Sequence, residues 1–308
     1  PIHLSRFHGC GLGRHFDQPT TRAIMAVRLA AMAKGYSGVS YKLMEGFERF
    51  LQEDILPLVP EEGSVGASGD LTPLSYIAGA LIGEREVLYK GEVKSSAEVM
   101  QSIGMAPHRL RPKEALAIMN GTAVMTAVAC LAFDRARYLA DLACRITAMA
   151  SVALGGNIYH FDEKLFSVKP HPGLNRAAAN VRLDLGNHKE TGIMPERIQD
   201  PYSIRCAPHV IGVFYDFEPL LRQLIENEIN SANDNPIIDP EGRSIMHGGH
   251  FYGVHIAFAM DSLKNIIANL ADLLDRQLAL LVDEKFNRKL PPNLSGTKDN
   301  YSLNHGFK

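Results

Sequence analysis

The sequence lacks the marks of several large protein classes. Its four cysteines lie far apart and form no CxxC pair, so we expect no metal site and a reduced, cytoplasmic protein. Lysine and arginine number 32 against 34 aspartates and glutamates, which leaves a net charge of −2 and no basic excess of the kind that marks nucleic-acid-binding proteins. Every apolar segment carries charged residues within about twenty positions, so the sequence predicts no membrane-spanning helix.

Helical periodicity, in contrast, is abundant. Apolar residues recur three or four positions apart in four segments: 20–55 with a break near 35–38, 113–154, 217–229 and 252–286. The last segment is apolar on more than one side, which is typical of a helix buried in a multi-helix core or between subunits. At about 1.5 Å per residue, the two longest helices each span roughly 50–60 Å. We predict a single elongated helical bundle over 1–308 that oligomerises, with a hairpin at 86–93 and loops over 157–210.

The segment GSVGASGDLTPL (63–74) does not fit the common glycine-rich motifs. A phosphate-binding P-loop needs Lys-Ser or Lys-Thr after its last glycine, and Asp-Leu stands there instead. A dinucleotide-binding loop follows a β-strand, but the preceding FLQEDILPLVP carries two prolines and no strand pattern. The segment therefore needs another explanation.

The bare backbone at Ala67, Ser68 and Gly69 has two interpretations. Glycine has no Cβ, so the amide nitrogen of Gly69 can approach the carbonyl carbon of Ala67 and close a five-membered ring. Loss of water there, and again across the Ser68 side chain, gives an exocyclic methylidene, an electrophile made from the chain itself. The alternative is a flexible surface loop, and these three residues by themselves leave both interpretations open.

Several motifs together resemble one enzyme family. Ala-Ser-Gly-Asp-Leu, followed by Pro73 and Leu74, resembles the self-cyclising loop of the histidine and aromatic amino acid ammonia-lyases and 2,3-aminomutases. Seven further segments resemble this family in the same order: FHGCGLG (7–13), KGYSGV (34–39), LAIMNGTAVMTA (116–127), QDPYSIRCAPHVIG (199–212), NSANDNP (230–236), GGHFYG (248–253) and LPPNLSG (290–296). The resemblance covers essentially the whole chain.

The resemblance implies an all-α fold of the histidine and phenylalanine ammonia-lyase type with long central helices. It implies a homotetramer whose active sites combine residues of several subunits. It also implies a cofactor, 4-methylidene-imidazol-5-one, formed from Ala67, Ser68 and Gly69. The expected reaction is elimination of ammonia from an aromatic L-amino acid to give an arylacrylate. In an aminomutase the ammonia returns at the β-carbon, and the sequence leaves lyase and mutase open.

The same resemblance assigns roles to individual residues. Asn120 matches the asparagine that hydrogen-bonds near the ring, with a helix-start asparagine as the structural alternative. Arg205 matches the arginine that holds the substrate carboxylate, for which a guanidinium fork is well shaped. Tyr202 matches a catalytic hydroxyl that shuttles a proton or positions the ring. Gln199 and Phe251 match pocket residues that contact the substrate.

Two residues near the start of the chain bear on the choice of substrate. In this family the pair at Phe7 and His8 faces the side chain of the bound amino acid, with Ser-His for histidine, His-Leu for tyrosine and Phe-Leu for phenylalanine. Phe7-His8 is a hybrid, because Phe7 offers an apolar wall to an aryl ring and His8 can bond a phenol or an imidazole. We predict tyrosine, then phenylalanine, with histidine as the alternative. A simple packing role for His8 stays open.

The chain also departs from the family pattern. A catalytic tyrosine loop precedes the pocket segment in the family, and a pocket glutamate follows the position of Lys308. Neither is in this sequence, so we expect it to be a fragment. His250 replaces the asparagine of the family's GGNF, which we interpret as a tolerated substitution. An inactive helical scaffold of the same fold is the alternative function. The charges of 252–286 are mixed in sign, which disfavours a membrane-surface adaptor.

Overall fold

The computed structural model of the chain describes residues 2–186 and 198–295, and helices dominate this part, as predicted. In chain order the helices are α1 Ile2–His8, α2 Gln18–Ala33, α3 Tyr41–Gln52, α4 Leu71–Leu81, α5 Ser96–Ser102, α6 Glu114–Met119, α7 Ala123–Ala153, α8 Glu163–Ser167, α9 Pro172–Leu185, α10 Tyr202–Arg205, α11 Ala207–Ile229 and α12 Val254–Val282. The strands are short: β1 Leu12–His15, β2 Leu56–Pro57, β3 Pro60–Glu62, β4 Glu86–Tyr89, β5 Glu92–Ser95, β6 Ile237–Asp239 and β7 Ser244–Met246. Every long helix in the described ranges is too polar to cross a membrane.

The chain forms two compact units. Unit 1 comprises Pro1–Ala132 and Gln223–Met260, and unit 2 comprises Phe133–Arg222 and Asp261–Lys308. The boundaries fall inside α7, α11 and α12, so each of these helices contributes residues to both units. A single domain over the whole chain stays a prediction.

Unit 1 is built on one large apolar core. Side chains from α2, α3 and α4 meet there, and Met25, Phe47, Phe50 and Leu74 are fully buried. Strand β4 pairs with β2 on one side and β5 on the other, both antiparallel. The predicted 86–93 hairpin is confirmed. Its two-residue turn, Lys90-Gly91, has positive φ at both positions (52° and 80°), the conformation that joins twisted strands tightly.

The predicted single helix over 113–154 is wrong, because the chain leaves the helical path between α6 and α7. Asn120 is extended, with φ −83° and ψ 116°, and Gly121 has φ 146°. This break lets the carbonyl of Gly121 turn outward and accept a hydrogen bond from the backbone N–H of Asp70 at 2.8 Å. A tertiary contact therefore overrides a strong local helical pattern.

Three other boundaries also differ from the prediction. Helix α9 lies inside the segment predicted as loops, and α11 begins at Ala207 rather than at Phe217. Both helices carry a proline in their first turn, where the missing N–H has no helical partner anyway, so these prolines start helices rather than break them. Helix α12 ends at Val282, before the predicted Phe286.

Unit 2 is held together by contacts among its own helices. Gln277 on α12 donates hydrogen bonds from its side chain to the Thr147 hydroxyl and to the Ser203 carbonyl, both at 2.9 Å. The Tyr215 hydroxyl on α11 donates to the Asp141 carboxylate on α7 at 2.6 Å. These bonds fix α10 and α11 against the longer helices of the unit.

A buried carboxylate at the start of α6 joins two segments of unit 1. Glu114 accepts hydrogen bonds from the backbone N–H and hydroxyl of Ser40, at 2.9 and 2.6 Å. It also accepts from the Arg111 N–H at 2.7 Å and from His108 Nε2 at 2.9 Å. Burial works to raise the pKa of Glu114, but these hydrogen bonds outweigh it and lower the pKa to about 2.

The depressed pKa of Glu114 predicts a pH-dependent contribution to stability. We expect Glu114→Gln to lower the free energy of unfolding at pH 7 by about 2–3 kcal/mol, because bonds to a charged acceptor are lost. The contribution is present above the ordinary glutamate pKa of 4.5 and disappears as the pH falls towards about 2. Urea unfolding at several pH values measures it. The difference in the free energy of unfolding between parent and Glu114→Gln should narrow as the pH falls through this window. Glu48→Gln, a change of an exposed glutamate, is the control and should show no such trend. A difference that is constant with pH contradicts the assignment.

Candidate active site

The Ala67-Ser68-Gly69 loop connects β3 to α4 in a conformation that only glycine at position 69 permits. Ser68 and Gly69 both have left-handed backbones, with φ 66° and 79°. Gly69 pairs with Gly121 in a parallel bridge, and a Cβ on Gly69 would lie 2.2 Å from the Gly121 carbonyl oxygen. The two backbones therefore touch where no side chain fits. Ala67 is exposed, Ser68 is half-buried and Gly69 is buried.

Asp70 fastens the loop to the start of α7. One carboxylate oxygen accepts hydrogen bonds from the backbone N–H groups of Val124 and Met125, both at 2.9 Å, so it satisfies the unpaired donors at the beginning of that helix. The other oxygen accepts from the Ser64 hydroxyl at 2.7 Å. Burial raises the pKa of Asp70 and these bonds oppose the rise. Asp70 thus supports the structure of the loop at both ends.

Asn120 is aimed at the oxygen atoms of Ser68. Its Nδ2 donates to the Ser68 carbonyl at 2.6 Å and lies 2.9 Å from the Ser68 hydroxyl. Its Oδ1 accepts from the backbone N–H of Asn235 at 2.7 Å. Since an N–H can only donate, this last bond fixes which end of the amide faces Ser68. The residue lies in the break between helices, not at the helix start that was the structural alternative.

The NDN run at 233–235, inside the NSANDNP segment, contributes residues to which the sequence analysis assigned no role. Asn235 continues the chain of hydrogen bonds, because its Oδ1 accepts from the Gly248 N–H at 2.8 Å, within the GGHFYG segment. Asp234 is fully buried, accepts from the Ser37 hydroxyl at 3.1 Å and forms an ion pair with Lys113. The only sequence feature that could have pointed to them is a run of three polar residues before Pro236.

Arg28 was also missed. It lies in α2 among apolar residues and is fully buried. Its Nη1 donates to the Asn233 side-chain oxygen at 2.8 Å, and its Nη2 donates to the Ala117 carbonyl at the end of α6. Nothing in the local pattern distinguishes this arginine from one on a helix surface.

Phe7 and His8 lie at the end of α1, which packs against α4 and α6. The Phe7 side chain is 80% exposed, and its ring meets the His8 ring edge-on at 5.2 Å. His8 Nδ1 lies 2.9 Å from the Leu4 carbonyl oxygen. A carbonyl only accepts, so Nδ1 donates in this contact, and Nε2 is the acceptor in the neutral tautomer of the ring.

The GGHFYG segment approaches the first turn of α7. A Cβ on Gly253 would lie 2.0 Å from the Met125 sulfur, which shows how closely the backbone passes. Phe251 is half-buried and His250 is exposed. This arrangement leaves space for the change from asparagine to histidine at 250, whose role stays a prediction.

Gln199, Tyr202 and Arg205 belong to unit 2. Gln199 is exposed, and Tyr202 is 74% exposed at the start of α10. Arg205 is half-buried, its Nε donates to the Asp200 carbonyl at 3.0 Å, and its guanidinium carbon lies 4.6 Å from the Tyr202 ring centre. The structure thus brings Tyr202 and Arg205 together. A pocket that also includes Ser68 stays a prediction.

Comparison with known proteins decides the family. The family model for aromatic amino acid lyases matches residues 2–308. The chain belongs to the aromatic amino acid lyase family. It is similar to histidine ammonia-lyase of Geobacillus sp. strain WCH70, with 41% identity over 293 residues, which is 95% of this chain and 58% of that protein.

Solved structures of lyase-family members are similar as well. The Pantoea agglomerans phenylalanine aminomutase superposes with a TM-score of 0.89 at 30% identity, over 94% of this chain and 60% of that one. Tyrosine aminomutase of Streptomyces globisporus superposes with a TM-score of 0.86 at 36% identity, over 96% and 60%. The helical ammonia-lyase fold is thereby confirmed, and the chain spans less than two thirds of each relative.

The Ala67-Ser68-Gly69 loop of this family member has a geometry that fits a methylidene-imidazolone. Gly69 can carry no side chain, the positive φ values bend the loop, and both Ser68 oxygens face the Asn120 amide nitrogen. Ring formation would join the unhindered Gly69 nitrogen to the Ala67 carbonyl carbon. It would keep the Ser68 carbonyl in the ring, and the Ser68 side chain would lose its hydroxyl.

The contact between the two glycines predicts that the loop does not tolerate a methyl group. We expect Gly69→Ala to lower the free energy of unfolding by about 2–4 kcal/mol, because the Cβ overlaps the Gly121 backbone and φ is left-handed. Gly66→Ala is the matched control, since Gly66 has φ 67° with nothing within 4 Å of a Cβ. It should cost only about 1 kcal/mol. Equal losses, measured by urea unfolding, contradict the close contact.

Proposed function

We propose that the complete protein eliminates ammonia from an aromatic L-amino acid, as a lyase or as a 2,3-aminomutase. The proposal is supported by the family and, above all, by one observation: the Asn120 amide faces both oxygens of Ser68 in a turn locked by glycine. An inactive scaffold has no need of this arrangement. We further propose a homotetramer in the cytoplasm.

The proposed maturation is a condensation within Ala67-Ser68-Gly69 that releases two water molecules. The Gly69 nitrogen bonds to the Ala67 carbonyl carbon, and that carbonyl oxygen leaves as water with the amide hydrogens of Ser68 and Gly69. The Ser68 hydroxyl then leaves with the Cα hydrogen as the second water. Asn120 donates to that hydroxyl's oxygen, which helps it to depart with its bonding electrons. No oxidant or metal is needed for the balance.

The resulting group supplies an electrophilic alkene for the amino group of the substrate. The Ser68 carbonyl oxygen stays in the ring, so the Asn120 N–H at 2.6 Å is placed to stabilise negative charge that develops on it. The Asn235 N–H holds Asn120 in this orientation. We assign Tyr202 the transfer or positioning of a proton, and its hydroxyl lies on an exposed side chain suited to this.

Arg205 is the proposed binding residue for the substrate carboxylate. Its Nε donates to the Asp200 carbonyl, and its guanidinium plane packs against the Tyr202 ring. We propose that the two Nη groups donate to the substrate carboxylate. Gln199 is the proposed second polar contact of the substrate, and Phe251 the aromatic wall beside the reacting group.

We favour tyrosine as the substrate, followed by phenylalanine. The Nε2 acceptor of His8 suits a phenol O–H, and the exposed Phe7 ring suits an aryl side chain. Histidine is the second candidate, and two observations support it: the same Nε2 accepts equally well from an imidazole N–H, and the similar curated protein named above is a histidine ammonia-lyase.

Incubating the complete protein separately with tyrosine, phenylalanine and histidine tests the function. Ultraviolet spectra distinguish coumarate, cinnamate and urocanate, and chromatography detects any β-amino acid. We expect Ser68→Ala to abolish turnover while the protein stays folded, because its side chain has no hydroxyl to lose. Ser102→Ala, a change of an exposed serine that bonds only its own helix turn, should retain activity. No product from any of the three amino acids, or turnover by Ser68→Ala, contradicts the proposal.

The assignment of Arg205 predicts a specific kinetic change. We expect Arg205→Lys to raise KM strongly, because a bidentate contact worth about 1.5–3 kcal/mol is lost. Steady-state kinetics on the preferred substrate measures this. Arg137→Lys, a surface change beside Asp134, is the matched control. An unchanged KM in Arg205→Lys removes the residue from the carboxylate site.

A further inference from the structure

We propose that Arg28 is a positioning residue for the condensation at Ala67-Ser68-Gly69 and that it acts through Gly121. The inference rests on the proposed function, because it concerns how the loop reaches its reacting geometry. It adds a residue on α2 that is remote in sequence from the loop and lies outside every motif that identified the family.

The contacts form three successive layers in unit 1. A Cβ built on Gly121 would lie 2.3 Å from Arg28 Nη1, so the guanidinium lies directly on that glycine. On its other side, the Gly121 carbonyl oxygen is 2.2 Å from a Cβ built on Gly69 and accepts the Asp70 N–H at 2.8 Å. Gly121 is therefore enclosed between Arg28 and the loop, and neither interface has room for a methyl group.

Arg28 is itself firmly held. Its Nη1 donates to the Asn233 side-chain oxygen and its Nη2 to the Ala117 carbonyl, four residues before Gly121. Asn233 in turn donates from Nδ2 to the Thr122 hydroxyl at 2.8 Å, and that hydroxyl donates to the Glu228 carboxylate. A planar fork bound at both prongs has one orientation, which a lysine ammonium does not reproduce.

The burial of Arg28 is costly, which argues that it is retained for its geometry. The side chain is fully buried, and within the described residues its Nε has no hydrogen-bond partner. Burial lowers its pKa to about 10, against the attraction of Asp234 and Asp70, so the side chain stays charged at neutral pH. A buried charge with an unsatisfied donor destabilises a fold compared with an apolar side chain.

The proposed role follows from what ring closure requires. The Gly69 nitrogen must approach the Ala67 carbonyl carbon, and an open, mobile loop rarely reaches that geometry. The Gly121 backbone forms one wall against which the turn at Gly69 is pressed. Arg28 keeps this wall from yielding. It is needed while the ring forms, and it does not touch the reacting atoms.

Intact-protein mass over time after synthesis measures the condensation directly, as the loss of two water molecules. The complete protein is compared with Arg28→Lys, Arg28→Gln and Asn233→Ala, and thermal unfolding is recorded for each. Arg22→Gln is the matched control, since Arg22 lies on the same helix but on the surface, paired with Asp54. We expect the parent and the control to lose both waters. In folded Arg28 variants the condensation should slow by about tenfold or more.

Each outcome decides the inference. The proposal is overturned if folded Arg28→Lys or Arg28→Gln loses both waters as fast as the parent. It is also overturned if a variant is only less stable and condenses at the parent's rate. If neither Arg28 variant folds, Asn233→Ala, which frees one prong of the fork, decides by the same comparison. A parent protein with no mass deficit overturns the proposed function itself, which separates the two failures.

Discussion

The candidate site depends on one contact, the close approach of the Gly69 and Gly121 backbones. No side chain separates them, and the hydrogen bond from Asp70 to the Gly121 carbonyl holds them together. The break between α6 and α7 exists because Gly121 must turn its carbonyl towards the loop. The same break places Asn120 over Ser68. One backbone contact thus explains an interrupted helix, a strained serine and the orientation of the amide that faces it.

Around this contact, several polar side chains are buried beside the apolar core of unit 1. Arg28, Asp70, Asn120, Thr122 and Asn233 are all buried and nearly all hydrogen-bonded. Buried polar networks add little net stability, but their directional bonds exclude alternative packings. An apolar core next to the loop would be easier to form and would leave its conformation less defined. The network therefore fixes the conformation of the loop more than it adds to the stability of the fold.

In unit 2, a smaller set of hydrogen bonds holds the short helix α10 in place. Asp200 accepts from the Asn157 backbone at 2.7 Å through its carboxylate and from Arg205 through its carbonyl. Gln277 holds the carbonyl of Ser203 from a neighbouring helix. The short helix α10, which presents Tyr202 and Arg205, is thereby fixed at several points. If Arg205 binds the substrate carboxylate, as proposed, this support means that its side chain loses little freedom on binding.

The sequence by itself determined the helical class, the hairpin at 86–93 and the family, because these depend on periodicity, turn chemistry and local motifs. It also pointed to Ser68 and Asn120. It did not show that α6 ends at Met119, that Pro172 and Pro208 lie in helix starts, or that Arg28 and Asn233 enclose Gly121. Those features are decided by contacts between residues far apart in the chain: Arg28 and Asn233 look like ordinary polar residues until folding buries them together. Only in the folded structure are these polar groups buried, and a buried polar group is unfavourable unless it finds a hydrogen-bond partner. The sequence does not show which residues are buried together.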